Sequence, residues 1–149
     1  IDELRADAER LPHQFRDAFR AVAQPFLQPI YDLDPARMVC GRVALVGDAA
    51  FVVRPHLGGG IVKAAQDSEA LARHVSATLD VPAALLAYED ERQPRCRIFV
   101  EHARRLGSYI RRTFDSEQQR QEAEIFRNPQ SLMRETALMD YLRSAGALT

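Results

Sequence analysis

Residues 41–72, GRVALVGDAAFVVRPHLGGGIVKAAQDSEALA, constrain the fold more than any other stretch of the chain. Apolar Val43, Leu45 and Val46 run into Gly47-Asp48, a loop containing Pro55 follows, and three consecutive glycines, Gly58, Gly59 and Gly60, open onto a segment with helical spacing. A strand end, a carboxylate and a helix N-terminus therefore converge on one place. Ala44-Leu45-Val46 is apolar on both faces, which predicts an interior strand of a parallel or mixed sheet. Past the glycines, Ile61, Ala64, Ala65, Ser68, Leu71, Ala72, Val75 and Leu79 share one helical stripe, and its small residues predict close packing against a neighbouring backbone. A carboxylate just beyond a strand accepts hydrogen bonds from sugar or polyol hydroxyls. Glycines ahead of a helix let its free N–H groups approach an anion or an electron-rich carbonyl.

On the N-terminal side, Leu11, Phe15, Phe19 and Val22 step as one face of a helix, with Pro12 in its first turn and Pro25 ending it. Pro29 to Asp34 and Arg37 to Val46 read as two short strands joined by a turn at Pro35. From Pro82 onward the pattern is helical: Arg92, Cys96, Phe99, Ala103, Leu106 and Ile110 form a seam that a neighbouring helix could cover. Pro94 is expected to kink or interrupt it. Asp115 or Ser116 caps a further helix, Asn128-Pro129 breaks it, and Leu132, Met139 and Leu142 lie on a last helix closed by Gly146. Two or three short strands cannot satisfy their own sheet edges, so the remaining strands are expected in a segment outside these 149 residues. Ile1, where a complete protein would start with Met, fits a piece of a longer chain.

Charge and composition exclude several classes. Lys plus Arg number 20 against 21 for Asp plus Glu, which gives no overall field for nucleic acid or an anionic membrane. The arginines from Arg92 to Arg112 do not share a face, and Glu89, Asp90, Glu91 and Glu101 dilute them, so that helix reads as solvated. Lys63 is the only lysine, read as a bias of a GC-rich genome. Cys40 and Cys96 form no C-x-x-C pair and read as two reduced core thiols. His13, His56, His74 and His102 show no metal-ligand spacing, so no metal is expected. Apolar runs fall far short of a bilayer and no signal pattern opens the chain, so no membrane contact and a cytoplasmic location are expected.

The glycines fit neither familiar phosphate-binding pattern. A Walker A loop needs Ser or Thr after its lysine, whereas Lys63 precedes Ala64. The dinucleotide fingerprint G-x-G-x-x-G is absent as well. A glycine loop that merely turns a strand into a helix stays open on spacing alone. Asp67 suits a partner from the helix to the loop better than a catalyst, and Arg54 suits a solvated or ion-paired residue, with attraction of an anionic ligand as the alternative.

The order G-D-A-A, spacer, proline, glycine cluster, A-A-x-D-x-x-x-L-A resembles the second FAD-binding motif of the single-component flavoprotein aromatic hydroxylases, the para-hydroxybenzoate hydroxylase family. The spelling GDAAF-x-x-RPH-x-x-x-G-x-x-KAA is most similar to the 2,6-dihydroxypyridine 3-monooxygenase branch, with Phe51 where histidine is more frequent. The resemblance implies an α/β parent fold, of which this chain is a mostly α-helical C-terminal portion with two or three short strands. Residues 1–40 would end the substrate domain, 41–80 would form the C-terminal half of the FAD-binding domain, and 81–149 would be C-terminal helices.

By the same resemblance, Asp48 binds the ribityl hydroxyls of FAD and Gly47 allows the approach. Pro55 sits at the edge of the flavin ring, and Gly58, Gly59, Gly60, Ile61 and Val62 present N–H groups to its N1 and C2 carbonyl region, where the helix dipole favours negative charge. Val62 stands where many members carry Asn. The reaction implied is hydroxylation of a small aromatic or hydroxypyridine substrate with FAD, NAD(P)H and O2, and the fragment alone is expected to be inactive. His56 is the candidate base for a substrate hydroxyl; a loop-structural or exposed histidine is the competing assignment. A homodimer is an open partner expectation. The rival from another class is a helical self-association module built on the Arg92–Ile110 seam, with a vestigial flavin loop.

Overall fold

The computed structural model describes residues 1–110 and 114–148. Helix α1 (Asp2–Ala8) and helix α2 (His13–Arg20) come first, then strands β1 (Val39–Cys40) and β2 (Val43–Ala44). Two short 3₁₀ turns, Gly47–Ala49 and Pro55–Leu57, lead into α3 (Gly60–Ala77) and the long α4 (Val81–Ile110). The chain closes with α5 (Glu117–Phe126), α6 (Pro129–Thr136) and α7 (Asp140–Ser144). The chain is thus mostly α-helical around a two-stranded antiparallel sheet.

The interior strand expected at Ala44-Leu45-Val46 is instead the second arm of a tight hairpin, in which Val39 pairs with Ala44 and Cys40 with Val43. Gly41, at φ +59°, makes the turn that only a residue without Cβ adopts cheaply. Pro29–Asp34 is no strand; it contributes one bridge, Leu33 to Val52. Local pattern could not anticipate this, because strands exist only where partners are present. The hairpin is held from α4: Glu89 Oε1 accepts the amides of Met38 and Val39, and the Tyr88 hydroxyl donates to Leu45 O at 2.9 Å.

Helix α4 is the spine. Asp80 caps it by accepting the Ala83 amide at 3.2 Å, and the helix continues through Pro94 without a break. Its predicted seam is buried: Arg92, Cys96, Phe99, Ala103 and Leu106 all lie in the interior, while the Ile110 side chain, Arg111 and Arg112 lie outside the described residues. One core cluster joins Phe51, Ala70, Leu85, Tyr88, Cys96 and Val100; a second joins Leu57, Phe99, Ala103, Leu106, Leu142 and Ala147. From Arg92 to Leu106 the seam is thus covered from within the chain.

The buried face of α3 is the reverse of the expected one. Lys63, Asp67 and Ala70 are buried, while Ile61 is 86% and Leu79 102% exposed. The apolar stripe exists but faces outward, because α4 packs against the row of α3 that carries Lys63 and Asp67, where Arg92 pairs with Asp67. The helix around Phe15 is real but shorter, and its apolar face is open, with Phe15 65% exposed. Cys40 is exposed rather than a core thiol. The single last helix is two, split where Met139 takes a left-handed φ of 52°. Ser116, one of the two expected caps, caps α5, and Asn128, read as a helix breaker, also caps α6. No helix among the described residues is long and apolar enough to cross a membrane.

Candidate functional site

Gly47 has φ +61°, and a Cβ there would lie 3.3 Å from the Ala64 Cβ, so the 3₁₀ turn it opens rests directly on α3. Its carbonyl accepts the amides of Ala50 at 3.1 Å and Phe51 at 3.0 Å, and also the Lys63 ammonium at 2.9 Å. Its own amide donates to Asp67 Oδ2 at 3.2 Å. Both backbone polar groups of Gly47 are therefore held by side chains one helical turn apart on α3. Phe51, the next apolar residue, is fully buried and anchors the far end of the turn.

Beneath this turn lies a dry charged cluster. Lys63 Nζ is 3.0 Å from Asp67 Oδ2, and Arg92 Nε is 2.8 Å from Asp67 Oδ1. Lys63 and Asp67 are 0% exposed and Arg92 is 1% exposed. Two cations and one carboxylate leave an excess of one positive charge, although desolvation costs on the order of several kcal/mol per ion. The Cys96 thiol donates to Asp67 at 3.4 Å, and burial, reinforced by the Asp67 charge, pushes it up to about 12. Asp67 is thus the loop partner that the sequence suggested. Lys63 and Arg92 are site residues that motif reasoning missed; the available signal was the spacing of Lys63 and Asp67, four apart on a helix.

Above the cluster is an open cavity of about 500 Å³, lined by Asp48, Val53, Arg54, Pro55, Gly58, Gly59, Gly60, Ile61 and Ala64. The structure brings together six of the predicted residues here: Asp48, Pro55, the three glycines and Ile61. The Asp48 side chain is exposed and makes no hydrogen bond or ion pair with the described residues. The first backbone bond of α3 is from the Lys63 amide to Gly59 O, so the amides of Gly60, Ile61 and Val62 have no helical acceptor. Nothing lies within 4 Å of a Cβ built on Gly58 or Gly60, whereas Gly59 is packed on Phe99 and Leu57.

Three predicted residues lie off the wall. Gly47 is buried under the turn, Val62 points away at 40% exposed, and His56 lies across α4. A Cβ on Gly107 would meet the His56 ring carbon Cδ2 at 2.9 Å, so the imidazole rests on that helix where only glycine leaves room. Arg54 is ion-paired with Asp32, which also accepts from Arg104 at 2.7 Å. Those guanidiniums, Arg104 first, hold the Asp32 carboxyl below its ordinary range. Among the described residues, no group of His, Cys, Asp and Glu could hold a metal ion. The wall thus combines acceptor oxygens, unsatisfied N–H donors and apolar surface, which suits a flat ligand carrying hydroxyls at one end and acceptor atoms at the other.

Residues 34–104 match the family model described as FAD binding domain. The chain is 29% identical over 110 residues to the 2,6-dihydroxypyridine 3-monooxygenase of Paenarthrobacter nicotinovorans, a match covering 74% of this chain and 28% of that enzyme. Klebsiella pneumoniae HpxO, solved with FAD and uric acid, superimposes with a TM-score of 0.66 at 31% identity, covering 98% of this chain and 38% of that one. The 2,6-dihydroxypyridine-3-hydroxylase of Arthrobacter nicotinovorans gives a TM-score of 0.62 at 28% identity, covering 78% and 30%. The chain therefore spans only about a third of the length of these relatives.

Proposed function

We propose that the chain is the FAD-binding segment of an FAD-dependent aromatic hydroxylase, and that the cavity between Asp48 and the start of α3 holds the isoalloxazine and ribityl portion of FAD. The observation that carries this is the pairing of an unpartnered carboxylate with the unsatisfied helix amides of Gly60 and Ile61 around one open cavity. The chemistry of the donor set fits the group. A carboxylate accepts from polyol hydroxyls, and N–H donors at a helix N-terminus suit a ring carbonyl on which negative charge accumulates.

In this assignment Asp48 orients the ribityl chain. The amides of Gly60 and Ile61 donate toward the N1 and C2 carbonyl region, where the helix terminus contributes ~0.3–1 kcal/mol. Gly58 and Gly60 leave room for the ring, and Pro55 marks the edge from which substrate arrives. Val53, Pro55 and Ile61 form the apolar wall that keeps water from the reacting face. When bound, FAD supplies reduction by NAD(P)H and transfer of one oxygen atom from O2. The substrate class is a small, electron-rich hydroxylated aromatic or heteroaromatic ring, in keeping with the dihydroxypyridine and urate named for relatives. His56 serves as a loop anchor, because its ring rests on Gly107 and lies off the cavity wall.

The test uses the full gene product that contains this chain. Incubated with FAD, NADH or NADPH and a dihydroxylated pyridine or urate, it is expected to consume reduced nicotinamide and form hydroxylated product in equal amounts. Hydrogen peroxide formed without any hydroxylated product, across both ring classes and both nicotinamides, would instead mark an oxidase.

A further inference from the structure

Lys63 and Arg92 share one carboxylate, Asp67, so the cluster holds one cation more than charge balance requires. Asp67 is already neutralised by Arg92, and it also accepts from the Gly47 amide and the Cys96 thiol. The Gly47 carbonyl already accepts two backbone amides. Removing the ammonium would therefore orphan neither an acceptor nor a charge, and it would take the cluster from an excess of one positive charge to neutrality. The ammonium therefore contributes something other than charge balance. Its contacts say what: Lys63 grips the carbonyl of the residue that precedes Asp48, at 2.9 Å, and completes the hold that Asp67 takes on the amide of the same residue.

We infer that Lys63 is a positioning residue for the cofactor, a clamp that fixes the Gly47–Asp48 turn on α3 so that the Asp48 carboxylate is presented to the cavity. The inference rests on the cavity being a flavin site. Lys63 itself is 0% exposed and does not line the cavity, so it acts through the turn and touches no ligand. The sequence's single lysine is thus part of the site's mechanics, and codon bias explains only the scarcity of the others.

The deciding experiment compares the full gene product with its Lys63→Met variant. Three quantities are read: the urea unfolding midpoint, FAD affinity from quenching of flavin fluorescence, and amide hydrogen exchange of the ligand-free proteins. A clamp predicts an unfolding midpoint equal to or above that of the wild type, with FAD affinity weakened about ten-fold or more. It also predicts faster exchange over Gly47–Phe51, with Val100 and Ala103 in α4 unchanged. A purely structural lysine predicts that affinity and stability fall together, and that outcome, like a variant that does not fold, overturns the inference. Unchanged FAD affinity overturns it too. Should the wild type itself take up no FAD, the cavity is not a flavin site; exchange over Gly47–Phe51 then decides separately whether Lys63 holds the turn.

Discussion

Gly47 is the residue on which the site's geometry turns, because it must satisfy two demands at once. Its φ of +61° is one that L side chains adopt only at a cost, and its Cα faces Ala64 closely enough that a Cβ would sit 3.3 Å away. Gly47→Ala is therefore expected to lower stability by about 1–2 kcal/mol, read as a shift in the urea midpoint, with strain and crowding adding. An unchanged midpoint would mean that the turn relaxes freely and does not fix Asp48. At this scale the sequence was most informative where residue type alone dictates chemistry: Asp48, Pro55 and the three glycines all reach one cavity. It was least informative where burial decides the role. Lys63 read only as a bias of codon usage, and although Arg92 lay on the seam expected to be covered, only the packing of α4 on α3 shows the two cations meeting at Asp67 in the interior.

Among the elements, α3 and α4 form the frame that carries the site, and ion pairs join them at both ends of their contact. At the end remote from the cavity, Glu91 of α4 accepts from Arg73 and His74 of α3 and lies 3.3 Å from Arg95. The Arg73 hydrogen bond, helped by His74, holds the Glu91 carboxyl down at about 2, against an ordinary 4.5. A carboxylate depressed in the folded state stabilises fully above its unfolded value and loses that contribution as pH falls through its folded value. Acid unfolding is therefore expected to include a loss between about pH 4.5 and 2 that Glu91→Gln abolishes; identical pH profiles for the two proteins would contradict it. The cap at Ser116 and the break at Asn128-Pro129 were legible, whereas capping by Asp80 and Asn128 was seen only in the structure. The sheet was not legible, because Val43 to Val46 carry a strand pattern whose partners are set by tertiary context.

For the whole molecule, the apolar stripe of α3 lines an open groove with the hairpin and α4 through Ala44, Val46, Leu71, Val75, Val81 and Leu85, while the Arg92 to Leu106 seam is filled from within. The periodicity was correct on α3 and its destination was not, since two rows of one helix could each be covered and the charged row is the one α4 takes. What unites the scales is one arrangement, a carboxylate and a helix mouth sharing a cavity, held from below by a buried cluster. FAD titration of the full gene product against its Asp48→Asn variant tests it most directly. Asp48 is exposed and unpartnered, so the variant should keep the wild-type unfolding midpoint while FAD affinity falls about 10- to 100-fold, as loss of hydrogen bonds to a charged group requires. Equal affinity in the two proteins, at equal stability, would contradict the assignment of this cavity to the flavin.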